Sequence, residues 1–260
     1  MIAKSFINYS KYIKQEDLKR LEFIENHVKS INRSNVKILD IGCGNGNISF
    51  QMAKTGATVI GIDQSEDAIE RAQSNFNHEN LTFVQSKVEE YQSHYKFDII
   101  ICSEILEHLV DPEIILIKLT EALKEDGMLI VTVPNGYGPR ELFITQPVQW
   151  INSKDNLLTK ILRSIKSVLG YTGYTSQSDA DDLIHYQFFT IKRITRLISK
   201  YSMHRIDLKS SNFISGMFPF SLLVRLIPSL EKFDCFIIDY LPKFLSSGFN
   251  MVWVKTNQTL

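Results

Sequence analysis

Hydrophobic positions along the chain follow two spacings, and each spacing predicts a different kind of element. Short apolar runs bounded by turn residues are typical of buried strands, whereas apolar residues three or four positions apart are typical of helices. The two kinds alternate through most of the chain, which favours a parallel sheet with right-handed crossovers. The predicted strands are 36–41, 58–62, 81–84, 97–102, 128–133, 204–208 and 249–254, the last antiparallel; the predicted helices are 11–33, 46–54, 65–76, 112–124, 156–168 and 190–201.

Two of these helices begin with capping signals. Ser65 precedes two acidic residues, so that a hydroxyl caps the helix 65–76 and carboxylates meet the positive end of its dipole. Asp111 precedes Pro112 at the start of the helix 112–124, and proline at the first helical position has no N–H to leave unpaired.

The regular alternation loosens after residue 136, which divides the chain into four parts. Residues 136–184 carry Gly, Pro, Ser and Asp clusters and are predicted to form an inserted lid over the strand ends. The other parts are an N-terminal helical segment (1–34), a cofactor-binding core (35–135) and a C-terminal part (185–260) that completes the sheet.

The stretch 213–245 within the C-terminal part is rich in Phe, Leu and Ile and is broken by three prolines. Aromatic clusters are usually core, so we expect this stretch to pack beneath the edge of the sheet. The alternative is a surface for a membrane or a lipid, because Arg225, Lys232 and Lys243 flank the apolar residues.

Composition limits the class of protein. A chain of 260 residues with 44% hydrophobic residues fits one large α/β domain, or such a domain with a small subdomain. Three scattered cysteines do not suit a disulfide framework or a zinc site. The N-terminus lacks the apolar stretch of a signal peptide, and no apolar run approaches the length of a membrane span. We therefore expect a cytoplasmic location, with peripheral contact at the inner membrane face left open.

Charge is divided unevenly although the net charge is zero. Residues 1–150 hold 15 basic and 21 acidic side chains, and residues 151–260 hold 14 and 8. A basic C-terminal half suits an anionic substrate, but a solvated surface explains it equally simply and is favoured. The basic stripe typical of nucleic-acid binders is missing from the sequence, which argues against a nucleic-acid partner. Nothing in the sequence indicates a particular protein partner.

A glycine-rich turn follows the first predicted strand of the core. Gly42, Gly44 and Gly46 let the backbone turn tightly and let a ligand approach, since they have no Cβ. The next strand ends in Asp63, 19 residues after Gly44, about where doubly wound folds place the acid that binds a ribose.

Three cofactor classes use such a turn. A phosphate-binding P-loop needs Lys followed by Ser or Thr, and neither follows these glycines. A dinucleotide site places its third glycine where this chain has Asn47. Asp40, two residues before the first glycine, faces a pyrophosphate poorly but suits a ligand with an ammonium or sulfonium charge.

These residues resemble motif I of the class I S-adenosylmethionine-dependent methyltransferases. The resemblance implies a Rossmann-like, seven-stranded α/β methyltransferase sheet with helices on both faces and a lid insertion, with S-adenosyl-L-methionine as the cofactor. Many relatives carry Asp where this chain has Lys87, which leaves the adenine contact to the backbone of Val88. The positions that the resemblance assigns to the cofactor are Asp40, Gly42, Cys43, Gly44, Gly46, Asp63, Gln64, Lys87, Val88 and Ser103.

A second group of candidate residues is Glu104, Glu107 and His108. Their spacing places all three on one face of a helical turn, where two carboxylates and an imidazole suit a divalent cation such as magnesium or manganese. The Glu-x-x-Glu-His pattern resembles the metal site of ubiquinone-biosynthesis O-methyltransferases and of small-RNA 2′-O-methyltransferases, and the latter group implies His185 as a further ligand. The alternative without a metal leaves His108 as a general base and Glu104 as a residue that orients the cofactor.

The sequence thus predicts a methyltransferase that acts on oxygen of a small-molecule, sugar-linked or lipid-linked acceptor. The segments 136–140, 185–190 and 239–242 resemble bacterial methyltransferases of unassigned substrate, and Tyr137 or Arg140 is a candidate to hold an acceptor anion. The rival interpretations are a nicotinamide-dependent oxidoreductase, a non-catalytic cofactor-binding protein and a metal-dependent RNA 2′-O-methyltransferase.

Overall fold

The protein forms a single seven-stranded sheet with helices on both faces. The structure, a computed structural model, describes residues 14–139, 141–142, 146, 185–217 and 220–256. The strands are β1 (Lys37–Ile41), β2 (Thr58–Asp63), β3 (Leu81–Gln85), β4 (Phe97–Ser103), β5 (Leu123–Pro134), β6 (Met203–Ser210) and β7 (Gly248–Lys255), and the helices are α1 (Gln15–Ser30), α2 (Asn47–Ala53), α3 (Glu66–Asn75), α4 (Pro112–Ala122), α5 (Ile191–Ser199), α6 (Phe220–Leu226) and α7 (Ser229–Ile237).

The strand order is β3-β2-β1-β4-β5-β7-β6. Strands β1 to β5 are parallel, and β7 lies antiparallel between β5 and β6. The predicted α/β class, the seven strands and the antiparallel last strand are therefore confirmed. Because β7 is antiparallel to both of its neighbours, β6 runs in the same direction as β5. The carboxyl end of β6 therefore lies at the same sheet edge.

The predicted caps are present. Ser65 Oγ accepts a hydrogen bond from the N–H of Ala68 at 3.3 Å, and Asp111 Oδ1 accepts one from Glu113 at 3.0 Å. Pro112 is the first residue of α4. These contacts satisfy N–H groups that the first turn of a helix would otherwise leave unpaired.

The sheet is buried on both faces, as its apolar strands require. Every residue of β4 is buried, and Phe97 and Trp253 are among the largest fully buried side chains. Phe23 and Ile24 of α1 pack on one face of the sheet with residues of β1 and β4. The predicted N-terminal helix is therefore part of the core on this face of the sheet, because its apolar stripe covers the strands.

Several predicted boundaries differ from the structure, most of all the start of β5, which was predicted at residue 128 and lies at Leu123. Helix α4 ends at Ala122, and β5 begins at once with Leu123, which pairs with Phe97 before an irregularity in the ladder. The prediction that the helix extends to Lys124 was wrong, because strand pairing takes over from Leu123. Helix α1 ends at Ser30 and not at residue 33.

The stretch 213–245 forms α6, α7 and a short 3₁₀ turn (Lys243–Leu245). The prediction that its apolar residues are buried was wrong for most of them, since nine large apolar side chains between 220 and 244 are exposed. Cys235 and Ile238 are buried and face inward. The helices are thus amphipathic, and their outer face is apolar.

Among the helices that the structure describes, none combines the length and the apolar character needed to cross a bilayer. Most of the predicted lid (136–184), including Arg140 and the predicted helix 156–168, lies outside the described residues. Tyr137 is described and is 63% exposed.

Candidate active site

The glycine turn after β1 has the backbone that its sequence requires. Gly42, Gly44 and Gly46 have φ values of 59°, 52° and 81°, a region that favours glycine. A Cβ on Gly46 would lie 2.5 Å from the ring of Phe83 and 3.0 Å from Cβ of Ala72. Gly46 is therefore needed for both conformation and space.

Asp40 lies at the end of β1, beside this turn, and is 1% exposed. Its Oδ2 accepts a hydrogen bond of 2.6 Å from the hydroxyl of Ser49 in α2. Burial raises the pKa of Asp40 to about 7; the Ser49 hydrogen bond lowers it, and the nearby carboxylate of Asp63 raises it further. A positively charged ligand group beside Asp40 would favour its ionised form.

Asp63 holds the turn from the end of the neighbouring strand β2. Its Oδ2 accepts from the N–H of Gly44 at 2.9 Å, and its Oδ1 accepts from the N–H of Ser65 at 2.9 Å. The carboxylate is only partly buried. The structure thus brings the two predicted donor-side carboxylates to one glycine turn.

The remaining predicted cofactor residues differ in what they contact. The N–H of Cys43 donates to the carbonyl of Ile62 at 2.9 Å, and its buried thiol lines the turn. Gln64 is exposed, and Lys87 is paired at 3.2 Å with Glu90 on the surface. Val88 packs against the main core. In this arrangement Lys87 has its own acidic partner and supplies no evident adenine contact.

Ser103 ends β4, and its hydroxyl lies 3.0 Å from the hydroxyl of Thr132. Thr132 in turn donates to Oε1 of Glu104 at 2.9 Å, and Oε2 of Glu104 lies 3.9 Å from the guanidinium of Arg20 in α1. This polar chain fixes the Glu104 side chain between β5 and α1. Sequence reasoning missed both Thr132 and Arg20, because their partners are distant along the chain.

Glu104 has a left-handed backbone, with φ of 55°, and the helical turn that follows is a 3₁₀ turn that begins only at Leu106. The prediction that Glu104 shares one face of a helical turn with Glu107 and His108 was therefore wrong for Glu104. A non-glycine residue in this region is strained and is often found at functional sites.

Glu107, His108 and His185 form a cluster in which one ligand atom from each lies within 4.8 Å of the others. The rings of the two histidines are 4.9 Å apart. His185 reaches the cluster because the N–H groups of Tyr186 and Gln187 donate to the carbonyl of Glu107 at 2.8 and 3.0 Å. The structure therefore groups three of the four residues predicted as metal ligands; the fourth, Glu104, is outside this cluster.

The Glu107 carboxyl group is the most deeply buried member, with 1% exposure. Its Oε2 has no hydrogen-bond partner among the described residues. Burial, and next the charge of Glu104, raise the pKa of Glu107 well above its usual range. A buried carboxyl oxygen without a partner is costly, which makes a bound cation an economical explanation for this arrangement.

Glu141 is a further acidic side chain at this cluster, and it is 2% exposed. Its Oε2 lies 3.4 Å from Nδ1 of His185. A carboxylate at Nδ1 orients an imidazole and leaves Nε2 for another contact. Sequence reasoning missed Glu141, and its position after the candidate Arg140 was the only available signal.

Comparisons with known proteins identify the family of the chain. A family model described as "Methyltransferase domain" matches residues 32–206. The ubiquinone biosynthesis O-methyltransferase of Glaesserella parasuis is 42% identical over 107 residues, which cover 38% of this chain and 45% of the relative. The enzyme of the same name from Rickettsia akari is 31% identical over 153 residues, 55% of this chain and 61% of the relative. The chain thus spans about half the length of the curated relatives it matches.

Solved structures share the fold at low sequence identity. The plantazolicin methyltransferase BpumL in complex with SAH has a TM-score of 0.55 and 20% identity, over 92% of this chain and 83% of its own. The magnesium protoporphyrin IX methyltransferase of Synechocystis PCC 6803 with bound SAM has a TM-score of 0.53 and 14% identity, over 92% and 80%. The family model covers residues 32–206, more than half of the chain, so the chain belongs to the methyltransferase domain family.

Proposed function

We propose that this protein is an S-adenosylmethionine-dependent O-methyltransferase that acts on a small-molecule acceptor. The observation that carries the proposal is the placement of two different groups at one sheet edge. The glycine turn with Asp40 and Asp63 follows β1 and β2, and the cluster of Glu107, His108 and His185 follows β4. Ligands of open parallel sheets bind at this carboxyl edge.

The first group suits the donor, which supplies a methyl group on a positively charged sulfur. Asp40 supplies a carboxylate for the ammonium of the methionine part, and its ionised form is favoured by that positive charge. Asp63 supplies oxygens that accept hydrogen bonds from ribose hydroxyls. Its hydrogen bond from the N–H of Gly44, at 2.9 Å, fixes the glycine turn. Gly42 and Gly46 leave the backbone accessible because no Cβ covers it.

The second group suits activation of an acceptor hydroxyl. We propose that Glu107, His108 and His185 hold a divalent cation, since they supply one carboxylate and two imidazoles and since Glu107 Oε2 is a buried oxygen without a partner. A divalent ion supplies charge stabilisation that lowers the pKa of a bound hydroxyl. Magnesium prefers oxygen ligands, so the two imidazoles favour manganese. The alternative is His108 as a general base acting alone.

The relatives and the protein's charge support the proposed acceptor class. Both relatives named above are ubiquinone biosynthesis O-methyltransferases, which supports a hydroxyl on a hydrophobic or lipid-linked small molecule. A sugar-linked acceptor, or one reached through peripheral membrane contact, belongs to the same proposal. An RNA acceptor is not favoured, because RNA binding relies on basic surface and the net charge is zero.

Calorimetry with S-adenosylhomocysteine tests the donor assignment. Asp63→Ala removes charged hydrogen bonds, each worth ~1.5–3 kcal/mol, so we expect affinity to fall by roughly 10- to 100-fold or more. Asp67→Ala, which removes an exposed carboxylate from the first turn of α3, is the matched control and should bind like the wild type. Unchanged binding by Asp63→Ala would contradict the assignment of Asp63 to the donor site.

The acceptor is tested separately with labelled S-adenosylmethionine and a panel of phenolic, sugar and lipid-linked hydroxyl compounds. We expect label on oxygen of a phenolic or lipid-linked compound, located by mass spectrometry. Normal S-adenosylhomocysteine binding without methyl transfer to any compound of the panel would favour a non-catalytic cofactor-binding protein.

A further inference from the structure

An apolar surface lies on α6, α7 and the turn that follows them. Of the 18 large apolar side chains that are exposed in the described part of the chain, nine fall within residues 220–244, so this surface is unusually concentrated. Within each of the two helices, α6 and α7, they are spaced three positions apart, as one face of a helix requires. The 220–244 surface consists of Phe220, Leu223, Leu226, Ile227, Leu230, Phe233, Phe236, Tyr240 and Phe244, which are 40% to 78% exposed.

The three acidic residues of this stretch all have partners within the protein. Glu231 accepts from the N–H of Gln15 at 2.8 Å, and Asp239 pairs with Lys19 at 2.9 Å. Asp234 is buried and accepts from three N–H groups in the segment 213–215. Each of these carboxylates therefore has a partner within the protein, while the side chain of Asp239 stays 40% exposed.

Two basic residues of the same stretch remain available. Lys232 is exposed and Lys243 is partly exposed, and neither has a carboxylate partner among the described residues. The 220–244 surface therefore combines apolar side chains with unpaired positive charge. This combination is typical of helices that lie at the boundary between lipid headgroups and acyl chains.

The 220–244 surface is built at the sheet edge that carries the candidate active site. The segment leaves the sheet after Ser210 and returns at Gly248, both at the carboxyl edge. Asn135, just after β5, donates to the carbonyl of Phe244 at 3.0 Å. Helix α1 links the two regions, since Lys19 donates to the carbonyl of Cys235 at 2.6 Å and the next residue, Arg20, lies 3.9 Å from Glu104.

We propose that the 220–244 surface docks on a phospholipid bilayer with anionic headgroups. Its aromatic and aliphatic side chains enter the interface, and Lys232 and Lys243 contact the headgroups. A second copy of the chain is a poorer occupant, because both copies would bring the same two lysines without a carboxylate partner into the contact. Docking places the acceptor side of the active site near a membrane; this last step rests on the proposed function.

Sedimentation with vesicles tests the docking. We expect the wild-type chain to partition onto vesicles of equal parts phosphatidylglycerol and phosphatidylcholine more than onto phosphatidylcholine alone. The triple variant Leu226→Ser, Phe233→Ser and Phe236→Ser should partition roughly tenfold less or weaker still, because each loses a large apolar contact. Ile114→Ser with Ile117→Ser, exposed apolar residues of α4, is the matched control and should partition like the wild type.

Charge is tested with Lys232→Glu and Lys243→Glu together. We expect roughly 25-fold weaker partitioning onto the anionic vesicles, or more, because each lysine near such a surface contributes on the order of fivefold. Lys192→Glu, an exposed lysine of α5, is the control. Circular dichroism and S-adenosylhomocysteine binding confirm that each variant is folded.

Two results would overturn the proposal. One is a wild-type chain that stays in the supernatant with anionic vesicles. The other is a concentration-dependent dimer in analytical ultracentrifugation that the triple variant abolishes without any vesicle effect, which would assign the surface to a second copy. Partitioning needs no methyl donor, so failure of the proposed function, seen as absent cofactor binding, is distinguishable from either result.

Discussion

The donor side and the acceptor side of the catalytic edge are built in different ways. The donor side takes its turn and both carboxylates from residues 40–63, and the strands β1 and β2 set the positions of Asp40 and Asp63 directly. The acceptor side assembles Glu107, Glu141 and His185 from three separate segments. A compact local sequence therefore specifies the cofactor, whereas tertiary contacts specify the chemistry on the acceptor.

Removal of a metal is the change that separates the two sides most sharply. We expect exhaustive chelation to lower methyl transfer by about a hundredfold or more while S-adenosylhomocysteine affinity stays within about twofold, since the cation would act on the acceptor alone. Glu107→Gln should reproduce this loss and should abolish manganese binding in calorimetry. Glu89→Gln, an exposed glutamate after β3, is the control. Full activity after chelation would end the metal hypothesis and leave His108 as the base.

The local construction of the donor side is tested by a methyl group at Gly46. Both Gly46 and Gly56 have positive φ, but a Cβ on Gly56 meets no atom within 4 Å. Gly56→Ala should cost only backbone strain, ~1 kcal/mol, whereas Gly46→Ala should cost about 2–3 kcal/mol more, because its Cβ overlaps the Phe83 ring. Urea unfolding measures both. Equal losses would show that the turn relaxes and that its shape is not fixed by packing.

Much of the fold could be predicted because its strands are apolar on both faces. β4 runs from Phe97 to Ser103 with every residue buried, and such a strand has a clear sequence pattern. The caps at Ser65 and Asp111 are equally local. The sequence could not show whether the apolar face of a helix is buried or exposed. A helix that packs into the core and a helix that shows its apolar face to solvent can have the same hydrophobic composition. The surface 220–244 is the example.

The site could be predicted where its residues depend on the strand pattern. Asp40 and Asp63 follow strands whose order the alternation of elements implies. The position of Glu104 was predicted wrongly because its own backbone is left-handed, which separates it from the turn that begins at Leu106. A glutamate does not signal such a conformation in the sequence. Glu141 and Arg20 depend on contacts between distant segments, for which one sequence carries no pattern.

The titration of Asp40 tests whether the donor side responds to charge as its burial implies. The pKa of Asp40 in the folded protein, about 7, lies above its value in the unfolded chain. Its contribution to stability is therefore complete below the unfolded pKa and is lost as the pH rises through about 7. Asp40→Asn stays neutral, so the stability of the wild type relative to this variant should fall over that range.

Binding of the donor should show the opposite trend, because the ligand's ammonium favours the ionised carboxylate. We expect the affinity of the wild type for S-adenosylhomocysteine to rise about tenfold between roughly pH 6 and pH 8, since a group with a pKa near 7 changes from mostly protonated to mostly ionised. Asp40→Asn has no titrating group at this position, whereas the ionisation of the ligand is the same in both experiments. The affinity of this variant, measured by calorimetry, should therefore change less with pH. Parallel profiles would place the ligand's ammonium away from Asp40, and the donor side would then depend on Asp63 and the glycine turn alone.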